Sequence, residues 1–395
     1  MSCFCENQEA RDEMQDIRHK TLENSDNWTT GQPDNQKLNS SPILPNSHTS
    51  QPPYSPTMTS LTQLENELLA PSSALIEDMA NIQGDIILLG IGGKMGPSMG
   101  KLAVQAAQAA GVNKRIIGVS RFSDPKAKAQ LEATGVETIS CDLLNDTELQ
   151  ALPDAPNVIY LAGNKFGTTG NESFTWAMNA YLPGRVAEKY KNANLVAFSS
   201  GNVLPFVPVT SGGASEETAP DPLGEYAQSC LGRERIFEYF SKKNQTPTLI
   251  YRLNYAVDFR YGVVMEIAKS VRDGKAIDLR TENVNVIWQG DANEIAIRSL
   301  LHCTSPAKIL NVTGPEILST RWIANQFGLK FGKEPVFVNE PTGTALLNNA
   351  SECHRIFGYP RVTIREIIDI TATWMLQGGE EFGKATHFQE RGGKF

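Results

Sequence analysis

The chain has 395 residues, enough for two domains or one large one plus an appendage, and 36 Lys and Arg stand against 44 Asp and Glu for a formal net charge of −8. This acidic balance without a basic cluster argues against a nucleic-acid partner, and no run approaches the roughly 20 apolar residues that would span a bilayer. Six cysteines are scattered along the chain, and the tight pair Cys3 and Cys5 has no further Cys or His beside it, so no metal site is read and a reduced, cytoplasmic setting is expected.

Residues 1–60 are rich in Asn, Gln, Ser, Thr, Pro and charge, and runs such as Gln51-Pro52-Pro53 bury too little surface to offset chain entropy. They are expected to form a disordered arm without a targeting segment, with Met58 as an alternative start where the arm ends. Residues 61–83 read as a helical segment, in which Leu64, Leu68 and Leu69 share a face and Ser72 and Ser73 open a turn carrying Leu75, Ile76 and Met79.

Strands are then predicted at 86–89, 114–120, 138–141, 157–162, 195–199 and 248–254, with helical stretches between them. That alternation means an α/β fold, a Rossmann-type doubly wound parallel sheet over residues 84–256. Residues 257–377 read as a smaller mixed α/β lobe, from which a return strand and helix at 284–302 pack back on the sheet. Lys308–Val312, a helix from Thr320 to Phe327 and a strand from Pro335 to Asn339 are placed in that lobe, and an apolar-faced helix from Thr363 to Met375 closes it. The Gly-rich end at 378–395 is expected to be a flexible tail.

The strand Ile86–Leu89 runs into clustered glycines and then into a small-residue helix. Gly90 suits a tight turn, Gly93 leaves room for a pyrophosphate to approach the main chain, and Gly96 allows close helix-to-strand packing. Free N–H groups at the helix start, around Lys94 and Met95, then face the anion. The pattern is that of a dinucleotide-binding turn. At the end of the second strand stand Ser120 and Arg121 in place of a carboxylate. Arg pairs bidentately with phosphate, so NADP is favoured over NAD. Asp142 either accepts from an adenine amino group or caps the next helix.

Taken in order, the Gly90, Gly93, Gly96 spacing, Asp142-Leu143, Leu161-Ala162-Gly163, Phe198-Ser199-Ser200 with Asn202-Val203, Glu225-Tyr226 and Arg252-Leu253-Asn254 resemble the extended short-chain dehydrogenase/reductase family, the NAD-dependent epimerases and dehydratases. The resemblance covers roughly Asp85 to Met375. It implies that Ser200 polarises and Tyr226 protonates or deprotonates a substrate hydroxyl or carbonyl, that Asn179 orders water or fixes its helix, and that a dimer forms through a helix pair. It also implies a Lys four residues after the Tyr, which lowers the phenol's pKa and holds the ribose, but position 230 is Cys.

That difference is large. A cation about 4 Å from the phenol, at an effective dielectric of ~20, contributes on the order of 4 kcal/mol, or roughly three pKa units. A neutral thiol at Cys230 gives nothing comparable. Arg233 lies seven residues after Tyr226 on the same helical face and either replaces the missing cation or is an ordinary surface charge.

Lys165, Phe166 and Thr168 follow the fourth strand at the sheet's carboxyl edge and are expected to line a substrate site with Asn202, Asn254, Tyr255 and Arg260. Asp291 reads as a helix N-cap. The long Gly-, Pro- and Ser-rich loop from Pro205 to Gly224 reads as a substrate-covering flap, whose Glu216 and Glu217 are either solvated or in touch with substrate. Together these readings describe an NAD(P)-dependent epimerase, dehydratase or reductase acting by hydride transfer on a carbohydrate-like small molecule, free or nucleotide-linked. Loss of the Lys leaves a second reading, a catalytically weakened NAD(P)-binding regulator or scaffold.

Overall fold

The computed structural model describes residues 68, 70–165, 167–383 and 386–394. The arm at 1–60, with Cys3, Cys5 and Met58, lies outside them, as does Phe166. Of the expected N-terminal helical segment, α1 (Ser73–Asn81) is helical, and the Ser72 hydroxyl caps it by accepting from the Leu75 N–H.

Seven strands form the central sheet: β1 (Ile86–Leu89), β2 (Ile116–Ser120), β3 (Glu137–Ser140), β4 (Asn157–Tyr160), β5 (Asn194–Ser200), β6 (Thr248–Leu253) and β7 (Lys308–Val312). All neighbours pair in parallel, in the order β7-β6-β5-β4-β1-β2-β3. The strand order reverses between β1 and β4, which opens a crevice at their carboxyl ends. β7 differs from expectation: Lys308–Val312 is the edge strand of the main sheet and not part of the smaller lobe.

Both faces of the sheet are covered, which explains the unbroken apolar strands. Ile86 and Leu88 face one core with Met99, Leu102 and Ala103 of α2 (Gly96–Ala109), Leu131 of α3 (Pro125–Glu132) and Ile295 of α9 (Gln289–Arg298). Ile87 and Leu89 face the other, with Leu149 of α4 (Asp146–Ala151), Val186 of α6 (Leu182–Lys189) and Phe237 of α7 (Gly224–Asn244). Ahead of α6, α5 (Glu172–Trp176) continues into a π-helical turn over Ala177–Tyr181.

A third core holds the smaller lobe, with Val264 and Ile267 of α8 (Val263–Asp273), Ile323 and Phe327 of α10 (Thr320–Phe331) and, beyond the short α11 (Ser351–Phe357), Ile367 and Ala372 of α12 (Ile364–Leu376). Thr363 and Glu366 form a reciprocal capping box at the start of α12. The expected strand at 284–288 breaks into two short pieces, one antiparallel to Leu318–Ser319 and one parallel to Ala256–Val257.

Two segments differ from their sequence reading. The loop from Pro205 to Gly224 is tied down, with Val207–Pro208 paired to Thr344–Ala345 and the Ala214 N–H bonded to the Leu347 carbonyl at 2.8 Å. Half-buried Glu216 accepts from the Asn311 N–H of β7 at 2.8 Å and lines neither cavity at the glycine turn, while Glu217 is exposed. Described residues beyond Gly378 are likewise packed: Glu381 pairs with Lys269 and Arg272, Arg391 donates to Thr344, and Phe388 is buried in the lobe core. Among the described residues no helix is long and apolar enough to cross a membrane, and no cluster of His, Cys, Asp and Glu could hold a metal ion.

Candidate active site

The glycine turn sits where the strand order reverses, and its glycines have different physical causes. Gly90 takes φ 92°, and a Cβ there would come within 2.7 Å of the Ala162 amide at the end of β4. A Cβ on Gly96 would lie 2.1 Å from the Ile91 carbonyl oxygen, so this glycine is fixed by close packing. Gly93 has only the Gly90 carbonyl at 3.5 Å and faces open space. Met95 precedes α2 with no side-chain cap, leaving the first-turn N–H groups available to a ligand.

Two cavities meet at this turn and share Gly90, Gly93, Leu161 and Gly163 in their walls. One, of about 350 Å³, is lined by Ser120, Arg121, Asp142, Leu143 and Ala162. Asp142 accepts from the Leu144 N–H at 3.1 Å, and the helix cap that the sequence offered it falls to Asn145. The other cavity, of about 480 Å³, contains Lys94, Met95, Gly96, Lys165, Ser200, Asn202, Tyr226, Arg233, Asn254 and Tyr255. Among the described residues no Asp or Glu lines it.

Ser200 ends β5, and its hydroxyl accepts from the Asn202 N–H at 3.2 Å and donates to the Asn202 Oδ1 at 3.0 Å. Tyr226, in the first turn of α7, hydrogen-bonds with the side chains of Ser200 and Cys230. Burial pushes its phenol well above the ordinary range, a Cys230 charge would push it further, and the Ser200 bond and the Arg233 charge pull the other way. Cys230 is buried, which pushes its thiol up and keeps it neutral near pH 7.

Arg233 is buried and not a surface charge. It donates to the Phe198 carbonyl at 2.8 Å and to Asn179 Oδ1 at 2.7 Å, which fixes its guanidinium beneath Gly163. Asn179 is fully buried in the π-helical turn and also joins Asn164 and Ser229, so it is a structural tie set back from the cavity wall. Lys165 reaches in from the loop after β4, and its Nζ lies 5.5 Å from the Tyr226 ring centre. Burial of the ammonium lowers its pKa to about 8, against opposing influences of Cys230 and Glu266.

The remaining expected residues divide. Asn254 faces the cavity while donating to Asn285 Oδ1 at 2.9 Å, and Tyr255 beside it holds a left-handed φ of 45°. Such strain in a non-glycine residue is tolerated where the surroundings over-determine it, often at functional sites. Thr168 is buried and Arg260 is paired with Asp258 at 3.0 Å, and neither lines the cavity. Asp291 is no N-cap; it accepts from the Val362 N–H at 3.0 Å and pairs with Arg361.

Several residues at the site escaped sequence reasoning. Gln289 and Thr386 line the cavity, and so does Tyr261 of the smaller lobe, whose ring centre lies 3.2 Å under Nζ of the expected Lys94. Thr386 is held there by Glu266, which accepts from its N–H and its hydroxyl. Glu234, one turn beyond Cys230 on α7, accepts from Ser199 at 2.6 Å and from Arg252. Neither Glu234, on a helix whose buried face also holds Ser229, Arg233 and Ser241, nor Thr386 had a local signal.

No protein-family model matches this chain, and no curated protein matches it. Solved structures do. The chain is similar to UDP-glucose 4-epimerase of Thermotoga maritima, solved with UDP-glucose, at 15% identity and TM-score 0.62, covering 74% of this chain and 99% of that one. It is similar to dTDP-glucose 4,6-dehydratase of Bacillus anthracis, solved with NAD, at 17% identity and TM-score 0.62, covering 75% and 97%. A third is UDP-glucuronic acid 4-epimerase of Bacillus cereus in complex with NAD, at 18% identity and TM-score 0.60, covering 74% and 99%. At these identities the likeness is one of fold: a Rossmann-type α/β sheet extended by a smaller lobe.

Proposed function

We propose that this chain is an NAD(P)-dependent enzyme that oxidises a hydroxyl of a sugar or sugar nucleotide by hydride transfer, transiently or in net turnover, giving epimerisation, dehydration or reduction. One observation carries the reading: Ser200 and Tyr226 come from different elements yet hydrogen-bond to each other in a cavity that shares its wall with the glycine turn. The similar solved structures named above include NAD complexes and act on sugar nucleotides by their names, which supports the same class for this chain.

The residues fit a dinucleotide. Gly93 leaves its side of the turn open, the first-turn N–H groups of α2 suit a pyrophosphate, and Asp142 and Leu143 suit an adenine. Arg121 is exposed at the wall of the same cavity, which favours a ribose 2′-phosphate. When bound, the nicotinamide supplies the hydride acceptor. Ser200 then polarises the substrate oxygen, and Tyr226 holds or releases its proton. A cavity wall with Lys94, Lys165 and Arg233 and, among the described residues, no carboxylate suits an anionic substrate such as a nucleoside diphosphate sugar. Exposed Trp176, Tyr181 and Tyr239 on α5, the π-helical turn and α7 support a homodimer through these helices.

The test begins with the purified protein, examined for bound nicotinamide by absorbance and mass spectrometry. It is then incubated with UDP-glucose, UDP-glucuronic acid and dTDP-glucose in the presence of NAD or NADP. Ser200→Ala and Tyr226→Phe are expected to lose roughly 10²–10⁴-fold in turnover while retaining cofactor. A protein that binds no nicotinamide would sink the proposal.

A further inference from the structure

We propose that Lys165 is the cation that serves Tyr226, entering from the loop after β4 to take the part that Cys230 on α7 leaves unfilled. The inference rests on the reading of Tyr226 as the proton-handling group. Its ground is geometric. Lys165 Nζ stands 5.5 Å from the Tyr226 ring centre, both side chains line one cavity, and Cys230, hydrogen-bonded to Tyr226, lies within electrostatic reach of the same ammonium.

Arg233 is less suited to the task. Its guanidinium is anchored to the Phe198 carbonyl and to Asn179 behind Gly163, so it adds a fixed field but does not move with substrate. Lys165 approaches from a different element on a flexible four-carbon stem. The titratable groups that act on it are Cys230 of α7 and Glu266 of α8, with the Tyr226 ring beside it. Its lowered pKa, about 8, keeps it close to proton exchange in neutral solution.

The step balances with one shared proton. While that proton rests on Tyr226 as a phenol, Lys165 is a neutral amine. The substrate O–H bond would break as its proton passes to the Tyr226 oxygen and the phenol's own proton passes to Lys165 Nζ, while the C–H electron pair would leave as hydride to the nicotinamide that the site would hold, forming the carbonyl. The reverse step would return the hydride to the substrate carbon and a proton to its oxygen.

A test that needs no substrate is competitive labelling of the full-length protein with acetic anhydride over a pH series, with Lys165 followed by peptide mass spectrometry. The expected midpoint for Lys165 lies well below that of exposed Lys275. In Cys230→Lys a second ammonium addresses the same space, and the Lys165 midpoint falls by a further unit or so, about tenfold in proton affinity. A Lys165 midpoint equal to that of Lys275, or one unmoved by Cys230→Lys, would overturn the proposal.

Turnover supplies the second arm. Lys165→Met is expected to lower kcat about 10²-fold with little change in KM, Lys165→Arg to keep part of the rate, and Cys230→Lys to restore it in the Lys165→Met background. Thermal melting of each variant separates these effects from misfolding. A wild-type protein that fails to bind reduced nicotinamide overturns the parent reading as well. One that binds it, with a Lys165→Met pH–rate profile identical to wild type, overturns the Lys165 assignment alone.

Discussion

Glu234 and Arg252 form a two-pronged ion pair, at 2.9 and 2.7 Å, in the interior beneath the cavity, with side chains only 0% and 1% exposed. The same carboxylate accepts from Ser199, the residue before Ser200. It therefore couples α7, β5 and β6 just behind the candidate acid–base pair. Breaking a buried pair strands a charge. Glu234→Leu and Arg252→Met should each cost on the order of 3–5 kcal/mol of unfolding free energy, whereas the double variant should cost less than either alone. Denaturant unfolding of the three variants checks this, and additive losses would contradict it.

The two later glycines of the turn should separate fold from ligand binding. Gly96→Ala drives a methyl to 2.1 Å from the Ile91 carbonyl oxygen and should lower the melting temperature sharply. Gly93→Ala meets only an ordinary 3.5 Å contact. Its melting should stay near wild type while nicotinamide affinity falls by about tenfold or more, read by fluorescence titration of the reduced cofactor.

Arg121 is exposed beside Ser120 in the smaller cavity. If it meets a 2′-phosphate, Arg121→Glu should weaken NADPH binding by about 10–100-fold and leave NADH binding nearly unchanged, because one charge-assisted contact is replaced by repulsion. Parallel titrations with the two reduced cofactors give the ratio directly.

The C-terminal segment should contribute stability. Phe388 is 6% exposed in the core of the smaller lobe, so Phe388→Ala should cost about 3–5 kcal/mol. Truncation after Gly378 should cost more and should also open the cavity at Thr386. Calorimetry of both proteins tests this, and a melting temperature equal to wild type would mean the segment is free.

Lys165 should also leave a mark on stability against pH. Its folded pKa, about 8, lies below that of an unfolded lysine, so between the two the unfolded chain binds more protons. Stability of wild type relative to Lys165→Met should therefore be constant well below pH 8, rise between about pH 8 and the ordinary lysine pKa of ~10.4, and level off above it. Paired unfolding curves across that range should show the difference growing, and a flat difference would mean that Lys165 is solvated.

Local chemistry made much of this protein legible as sequence. Unbroken apolar runs such as Ile86–Leu89 report a strand buried on both faces, since a parallel sheet covered by helices has no wet side. The spacing from Gly90 to Gly96 reports a turn whose backbone must approach its neighbours closely. Ser200 and Tyr226 stand at fixed positions relative to their own strand and helix, so their meeting in one cavity follows from the order of elements.

What the tertiary structure alone decided are contacts between residues far apart in the chain. Thr386 reaches Glu266 across 120 positions, turning an apparent tail into cavity wall. Glu216 is drawn to Asn311, 95 positions away, which turns an apparent flap into a fixed connection. Lys165 and Tyr226 meet because β4 and β5 are adjacent, bringing the loop after one strand against the helix that follows the other. Periodicity and turn chemistry act over a few residues and set which elements form. Which side chains share a cavity depends on how those elements pack, and no pattern local to Cys230 could indicate that a lysine from another loop lies beside it.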